Sequence, residues 1–294
     1  MTLYQDISET DAIQHDRDRV VNVASVPQRS PFRYPGGKTW LIPVFRKWMR
    51  QFDPKKILFI EPFTGGGIVS LTAAFENLAD KIIMVELDEE VAAVWETILN
   101  GKNEWLADKI MHFQLTHENV QRELEKEDKS PEEVAFSTIL KNRVFHGGIL
   151  AKGSGLIKNG ENGKGLGSRW YPQTLKKRIL AINLVKNKIE FIRGDAFGVM
   201  EQYAERKEAV FFIDPPYTIA GKRLYTHFDL NHEKLFALTS RLRGHFMMTY
   251  DDTPEVRNWA EKYGLPYCTI PMKTTHHLEK NELIITDNLD WHKA

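Results

Sequence analysis

The chain has 294 residues, and its 40 Lys+Arg balance 40 Asp+Glu for a formal net charge of zero. With 42% hydrophobic and 11% aromatic residues it can build a packed core, which excludes a histone-like polycation and an acidic disordered chain. No uninterrupted apolar run exceeds about five residues, against the roughly twenty that span a bilayer, so a soluble chain without a membrane partner is expected. Cys268 is the single cysteine; it excludes an internal disulfide, suits a reducing cytoplasm and reads as structural.

The first 29 residues mix Asp6, Glu9, Asp11, Asp16 and Asp18 with scattered bases, follow no secretory or transit pattern, and read as a mobile N-terminal tail. A helical pattern covers residues 39–51. Short apolar runs at 57–60, 82–85, 189–192, 209–213, 246–250 and 283–286 predict buried strands, and further helical patterns lie at 68–77, 89–99 and 232–242. This alternation predicts an α/β sheet. It breaks between 101 and 188, where a helical 131–145 is followed by a glycine-rich 147–167 and a basic 176–188. The expected organisation is a core of residues 30–100 and 189–294 with residues 101–188 inserted between its halves.

Zero net charge conceals segregation. Residues 134–189 hold eleven Lys and Arg against Glu161 alone, a balance of +10, while 123–133 is mostly acidic. Such a stripe is either a footprint for a polyanion or a solvated face balanced by its acidic neighbours.

Three local patterns carry chemistry. The apolar run 57–60 enters Glu61-Pro62-Phe63-Thr64-Gly65-Gly66-Gly67, where glycines permit a tight turn and close approach to a ligand. About 21 residues beyond Gly65, Glu86 and Asp88 follow a second strand, where an acid can accept from ribose hydroxyls. The apolar run 209–213 ends in Asp214-Pro215-Pro216-Tyr217. The prolines stop the strand and present an acid, a carbonyl and an aromatic ring together, a set suited to a planar amino group and the ring that carries it.

In order, residues 32–38 (FRYPGGK), 61–67 (EPFTGGG) and 214–217 (DPPY) resemble the Dam-type family of DNA adenine-N6 methyltransferases in the α-group arrangement. Residues 169–172 (RWYP), with Asn142, Arg143 and the glycine-rich stretch, resemble that family's inserted recognition domain, and 250–253 and 282–285 resemble later core strands. The resemblance runs over roughly residues 30–287. It implies an α/β, Rossmann-like S-adenosylmethionine-dependent methyltransferase sheet with an inserted, mainly helical, basic target-recognition domain. It also implies that Tyr34 and Lys38 lie against the methionine part of the cofactor, that Phe63, Gly65 and Gly67 floor its pocket, and that Glu86, with Asp88 nearby, meets the ribose. Asp195 falls where the family contacts the cofactor's adenine, and Asp214 borders the cofactor as well as the base. Pro35 and the richer glycine content of 147–167 depart from the pattern, and the recognised DNA sequence does not transfer.

The expected activity is methyl transfer to the amino group of an adenine flipped out of double-stranded DNA, with Asp214, Pro215, Pro216 and Tyr217 as the catalytic set and no metal. Lys141, Arg143, Lys152, Lys158, Lys164 and Arg169 are the expected DNA contacts, giving an affinity that falls with salt. His146 reads as a loop or packing residue, and His276 and His277 as loop residues without further ligands. Methylation of the cytosine amino group, for which related enzymes more often carry Ser in place of Asp214, and a non-catalytic DNA-binding subunit are the alternatives. A partner restriction endonuclease is compatible with either enzymatic reading.

Overall fold

The structure, a computed structural model, describes residues 26–33, 37–150, 153–160, 163–217, 230–273 and 279–293. Its strands are β1 (Leu58–Glu61), β2 (Lys81–Glu86), β3 (Ile189–Arg193), β4 (Ala209–Ile213), β5 (His245–Asp251), β6 (Tyr267–Lys273) and β7 (Glu279–Thr286). They form one seven-stranded sheet in the order β3-β2-β1-β4-β5-β7-β6. The strands β1 to β5 pair in parallel, and β7 runs antiparallel to both β5 and β6.

Side-chain alternation along these strands makes two apolar faces. Phe59, Ile82, Met84, Val210, Phe212, Met247 and Ile284 point into one cluster, and Ile60, Ile83, Val85, Phe211, Ile213, Met248, Leu283 and Ile285 into the other. Both faces of a parallel sheet must be covered, which is why all five residues of β4 are buried. The first face carries α1 (Ile42–Met49), α2 (Ile68–Phe75) and α3 (Glu89–Thr97), then α4 (Asn103–His112), α5 (His117–Glu125), α6 (Pro131–Val144) and α7 (Pro172–Ile182). The second carries α8 (Ala196–Tyr203), α9 (His232–Thr239) and α10 (Pro254–Lys262).

The sequence between the two halves of the core is therefore largely helical, as expected, and its helices join the first-face cluster through Leu106, Ile110, Phe136, Ile139, Leu140, Leu175 and Ile179. Gly101, with φ +88°, bends the chain between α3 and α4. Ser130 and Glu133 close a capping box at the start of α6, and Pro131 occupies its first turn.

The structure departs from the sequence reading in two places. The strand β6 has no counterpart among the expected elements because Pro271 interrupts its pattern; as an edge strand, β6 tolerates a residue that cannot donate to the ladder. The last four residues of the expected tail are anchored: Val26 is buried in the first-face cluster, and Arg29 pairs with Glu76 at 3.2 Å. Cys268 packs against that same cluster, consistent with a structural role. No described helix is long and apolar enough to cross a membrane.

Candidate active site

The strand order reverses between β1 and β4, and the carboxyl ends of β1, β2 and β4 open on one edge of the sheet, where α/β folds bind ligands. The glycine loop after β1 is built by backbone hydrogen bonds. Thr64 N donates to Val85 O at 3.0 Å, Gly67 N to Thr64 O at 2.8 Å, and Trp95 Nε1 to Gly65 O at 3.0 Å. Gly67 starts α2 at φ +62°, and a Cβ there would meet the Trp95 ring at 2.7 Å. Only glycine fits that position.

Glu86, at the end of β2, ties this loop to the next. Its Oε2 accepts from Gly65 N at 2.8 Å and its Oε1 from Asp88 N at 2.9 Å, while burial pushes its carboxyl up to about 7. Asp88 has a different occupation from the one its position suggests. Its Oδ1 caps α3, accepting from Glu90 N at 2.9 Å and Val91 N at 3.1 Å. Leu87, between the two acids, is 46% exposed. Gly194 N reaches Glu86 O at 3.0 Å, which sets the exposed Asp195 beside this strand end. Phe63 is half-buried against the second-face cluster.

A second group surrounds the end of β4. Lys38 is 4% exposed, and its Nζ lies 2.9 Å from Asp214 Oδ1, 3.9 Å from Glu282 Oε1 and 4.8 Å from the centre of the Tyr217 ring. Burial alone would lower the lysine's pKa, but Asp214 and Glu282 hold it above its usual value. Asp214 Oδ1 also accepts from Thr249 Oγ1 at 2.7 Å. The Tyr217 hydroxyl donates to Glu282 Oε1 at 2.9 Å, and its ring stacks on Tyr250 at 5.8 Å and 20°. Burial raises the Tyr217 phenol well above its ordinary value, so it stays a donor. Tyr250 is in turn held by His232, whose Nδ1 lies 2.8 Å from the Tyr250 hydroxyl. Nearby, Glu61 accepts from Ser70 N at 3.0 Å, and burial pushes its carboxyl up to about 8.

Lys38, Asp214 and Tyr217 are thus brought together, with Pro215 buried and Pro216 half-buried between the last two. Gly65, Gly67 and Glu86 share the adjoining loop. Tyr34 lies outside the described residues, as do Lys152, His276 and His277. Glu282 and Thr249, which touch this group, were not among the expected site residues. An acid directly ahead of the apolar run of β7 was the available signal for Glu282; Thr249 had none.

The expected DNA contacts divide. Lys158 and Lys164 are exposed, and His146 is an exposed loop residue. Lys141 is half-buried and paired with Glu90. Arg169 is half-buried in a short turn. Arg143 needs correction: it is 4% exposed, and its guanidinium donates to Pro31 O inside the protein, so in this conformation it braces the segment before the FRYPGGK motif and does not face a groove. Its neighbour Asn142 has a similar task, accepting from Arg33 N at 2.8 Å and donating to Arg33 O at 2.9 Å. Several other charges of the +10 segment are matched locally, Lys176 by Asp108 and Lys188 by Asp80.

A sheet of this order, with a glycine loop and acids at its switch point, defines a Rossmann-like α/β fold. The family model for D12 class N6 adenine-specific DNA methyltransferases matches residues 34–273. The chain belongs to that family and is an adenine-specific DNA methyltransferase. It is 24% identical to the Type II methyltransferase M.MjaIII of Methanocaldococcus jannaschii, over 72% of this chain and 79% of the relative. Among solved structures, the N-terminal domain of human METTL16 in complex with SAH is similar at TM-score 0.42 and 9% identity, over 96% of this chain and 84% of that one. The rRNA methyltransferase aviRa of Streptomyces viridochromogenes is similar at TM-score 0.41 and 9% identity, over 96% of this chain and 94% of that one. The family match disfavours the cytosine and non-catalytic alternatives.

Proposed function

We propose that the protein transfers a methyl group from S-adenosylmethionine to the exocyclic amino group of an adenine flipped out of double-stranded DNA, leaving S-adenosylhomocysteine and releasing one amino proton to solvent. The observation that carries this reading is the group at the end of β4: Asp214 is fixed from two sides by Lys38 and Thr249, and Tyr217 follows it at stacking distance from Tyr250.

The site suits the cofactor. Glu61 and Glu282 are buried and Glu86 is half-buried at the edge that holds the buried Lys38, an excess of carboxyls over bases that favours a cationic ligand, and Glu282 Oε2 is buried with no hydrogen-bond partner among the described residues. When bound, the cofactor supplies an electrophilic methyl group on a sulfonium. Lys38, Phe63, Gly65 and Gly67 would hold its methionine end, and Tyr34, in the same motif as Lys38, is expected to join them. Glu86 would meet the ribose, since each of its oxygens keeps a lone pair beyond its amide bond. Asp195 and Leu87 would take the adenine, one at its polar edge and one at its face, while Asp88 keeps α3 in place beside it.

An adenine amino nitrogen is a poor nucleophile because its lone pair is delocalised into the ring, and extrusion of the base costs a few kcal/mol. Asp214 and the Pro215 carbonyl accept from the two amino hydrogens, which draws the lone pair out of the ring and aims it. Tyr217 replaces part of the lost stacking, and Pro216 keeps the turn rigid. Alignment and the fixed acceptors supply the rate. The exposed Lys158 and Lys164 form the DNA-facing part of the insert, whose phosphate contacts position the duplex, with Lys141, Lys152 and Arg169 as further expected contacts. A cytoplasmic setting and a partner restriction endonuclease belong to the same reading, the latter supported by the relative's type II name.

The test is Asp214→Ala with labelled S-adenosylmethionine and unmethylated genomic DNA, followed by nucleoside analysis. Wild-type protein should yield N6-methyladenine. The variant should lose about 10²–10³-fold in kcat while still binding cofactor in equilibrium dialysis, the scale expected when a preorganised polar group is removed. Near-normal transfer by the variant would sink the proposal.

A further inference from the structure

Glu282 lies on β7 opposite Asp251 of β5, followed by the buried apolar residues Leu283, Ile284 and Ile285. It is itself only 5% exposed. One oxygen, Oε1, accepts from the Tyr217 hydroxyl at 2.9 Å and faces Lys38 Nζ at 3.9 Å; the other, Oε2, is buried with no hydrogen-bond partner among the described residues. A half-satisfied carboxyl in an apolar strand lowers stability. Its contacts indicate what it does in return. Lys38, which pairs with Asp214, and Tyr217, whose ring lies under the Lys38 ammonium, both converge on the same Glu282 oxygen. Stacking on Tyr250 sets the plane of the Tyr217 ring but lets it slide, whereas a hydrogen bond at the far end of the phenol fixes where it stops.

We propose that Glu282 is a positioning residue for methyl transfer, acting through the Tyr217 hydroxyl to hold the ring on which the target base stacks and through its charge to keep Lys38 beside Asp214. This rests on the function proposed above. The charged and titratable groups that face Glu282 are Lys38 ahead of α1, Asp214 and Tyr217 after β4, and Asp251 at the end of β5.

The experiment uses the full chain with Glu282→Gln, Glu282→Leu, Tyr217→Phe and the Leu/Phe double variant, assayed with labelled S-adenosylmethionine on unmethylated genomic DNA. Glu282→Leu and Tyr217→Phe should each lower kcat by about 10- to 100-fold, with KM for the cofactor within about threefold of wild type, since a misplacement near 1 Å costs on that order. The double variant should be no slower than Glu282→Leu alone, because both substitutions remove one interaction. Glu282→Gln keeps an acceptor for the phenol and should restore kcat to within about fivefold of wild type, a rescue that loss of packing alone would not give. Losses that multiply in the double variant, a raised cofactor KM with unchanged kcat, or Gln performing no better than Leu would each overturn the proposal. If Glu282→Leu fails to fold, Tyr217→Phe decides: wild-type kcat overturns the proposal, and a kcat loss at constant KM supports it. Failure of the wild-type protein to methylate adenine counts against the proposed function itself, and so the two failures are distinguishable.

Discussion

At the amino edge of the parallel sheet, charges meet in water. Lys56 pairs with Asp53, Arg206 with Glu208 and Arg243 with Glu205, all with both side chains at least 45% exposed, and His245 meets Asp287 at 2.8 Å beside β5. At the carboxyl edge, Glu61, Glu282 and Lys38 are each no more than 5% exposed, and among the described residues there the buried acids outnumber the buried lysine. Pairs of the first kind stay hydrated and contribute little to stability. In the second kind burial disfavours the charged form, which is why the Glu61 and Glu282 carboxyls are raised to about 8 and 7, while Asp214 and Glu282 hold Lys38 charged. The same sheet thus carries near-neutral charge pairs at one end and costly buried charges at the other, and the costly end is the one that holds the candidate site.

Removing the buried cation should break this contrast most severely. Lys38→Met leaves Asp214 and Glu282 facing each other without compensation, and unfolding free energy at pH 8 should fall by about 3–5 kcal/mol in urea titrations, with methyl transfer abolished. The loss should shrink toward pH 6, where Glu282 takes up a proton. Gly67→Ala is expected next, at about 1–3 kcal/mol, because it combines a left-handed backbone with a collision against Trp95. Cofactor binding should weaken with it.

A pH series sharpens the comparison. Glu61, Glu86 and Glu282 are raised to about 8, 7 and 7 in the folded chain, above the ordinary 4.5, so the folded state binds more protons than the unfolded state between those values. Stability without cofactor should therefore fall as pH rises from about 4.5 to 8. In Glu61→Gln this fall in Tm should be shallower, with the midpoint near wild type at pH 5; an unchanged slope would mean that Glu61 carries none of it. The smallest effect belongs to the amino edge. Its hydrogen bond to Asp287 raises the pKa of His245, so the pair stabilises below the ordinary histidine value, about 6.5, and fades as pH rises through the folded one. Asp287→Asn should cost up to about 1 kcal/mol near pH 5.5 and less at pH 8, measured by thermal melts.

Much of this architecture was legible in the sequence. The alternating runs marked six of the strands, the glycine turn and DPPY marked two corners of the candidate site, and the resemblance reached the adenine-N6 DNA methyltransferase family, though not a subgroup within it. Those features are local: strand period, turn chemistry and helix caps act over a few residues and are written where they act. Tertiary structure alone decided what meets across distance. Glu282 reaches Tyr217, 65 positions away, only because β7 folds back beside β5 and β5 lies beside β4. Pro271 is tolerated only because β6 is an edge. Arg143 counted toward the basic stripe, yet its side chain turns inward to Pro31, because charge in a sequence has a sign but no direction.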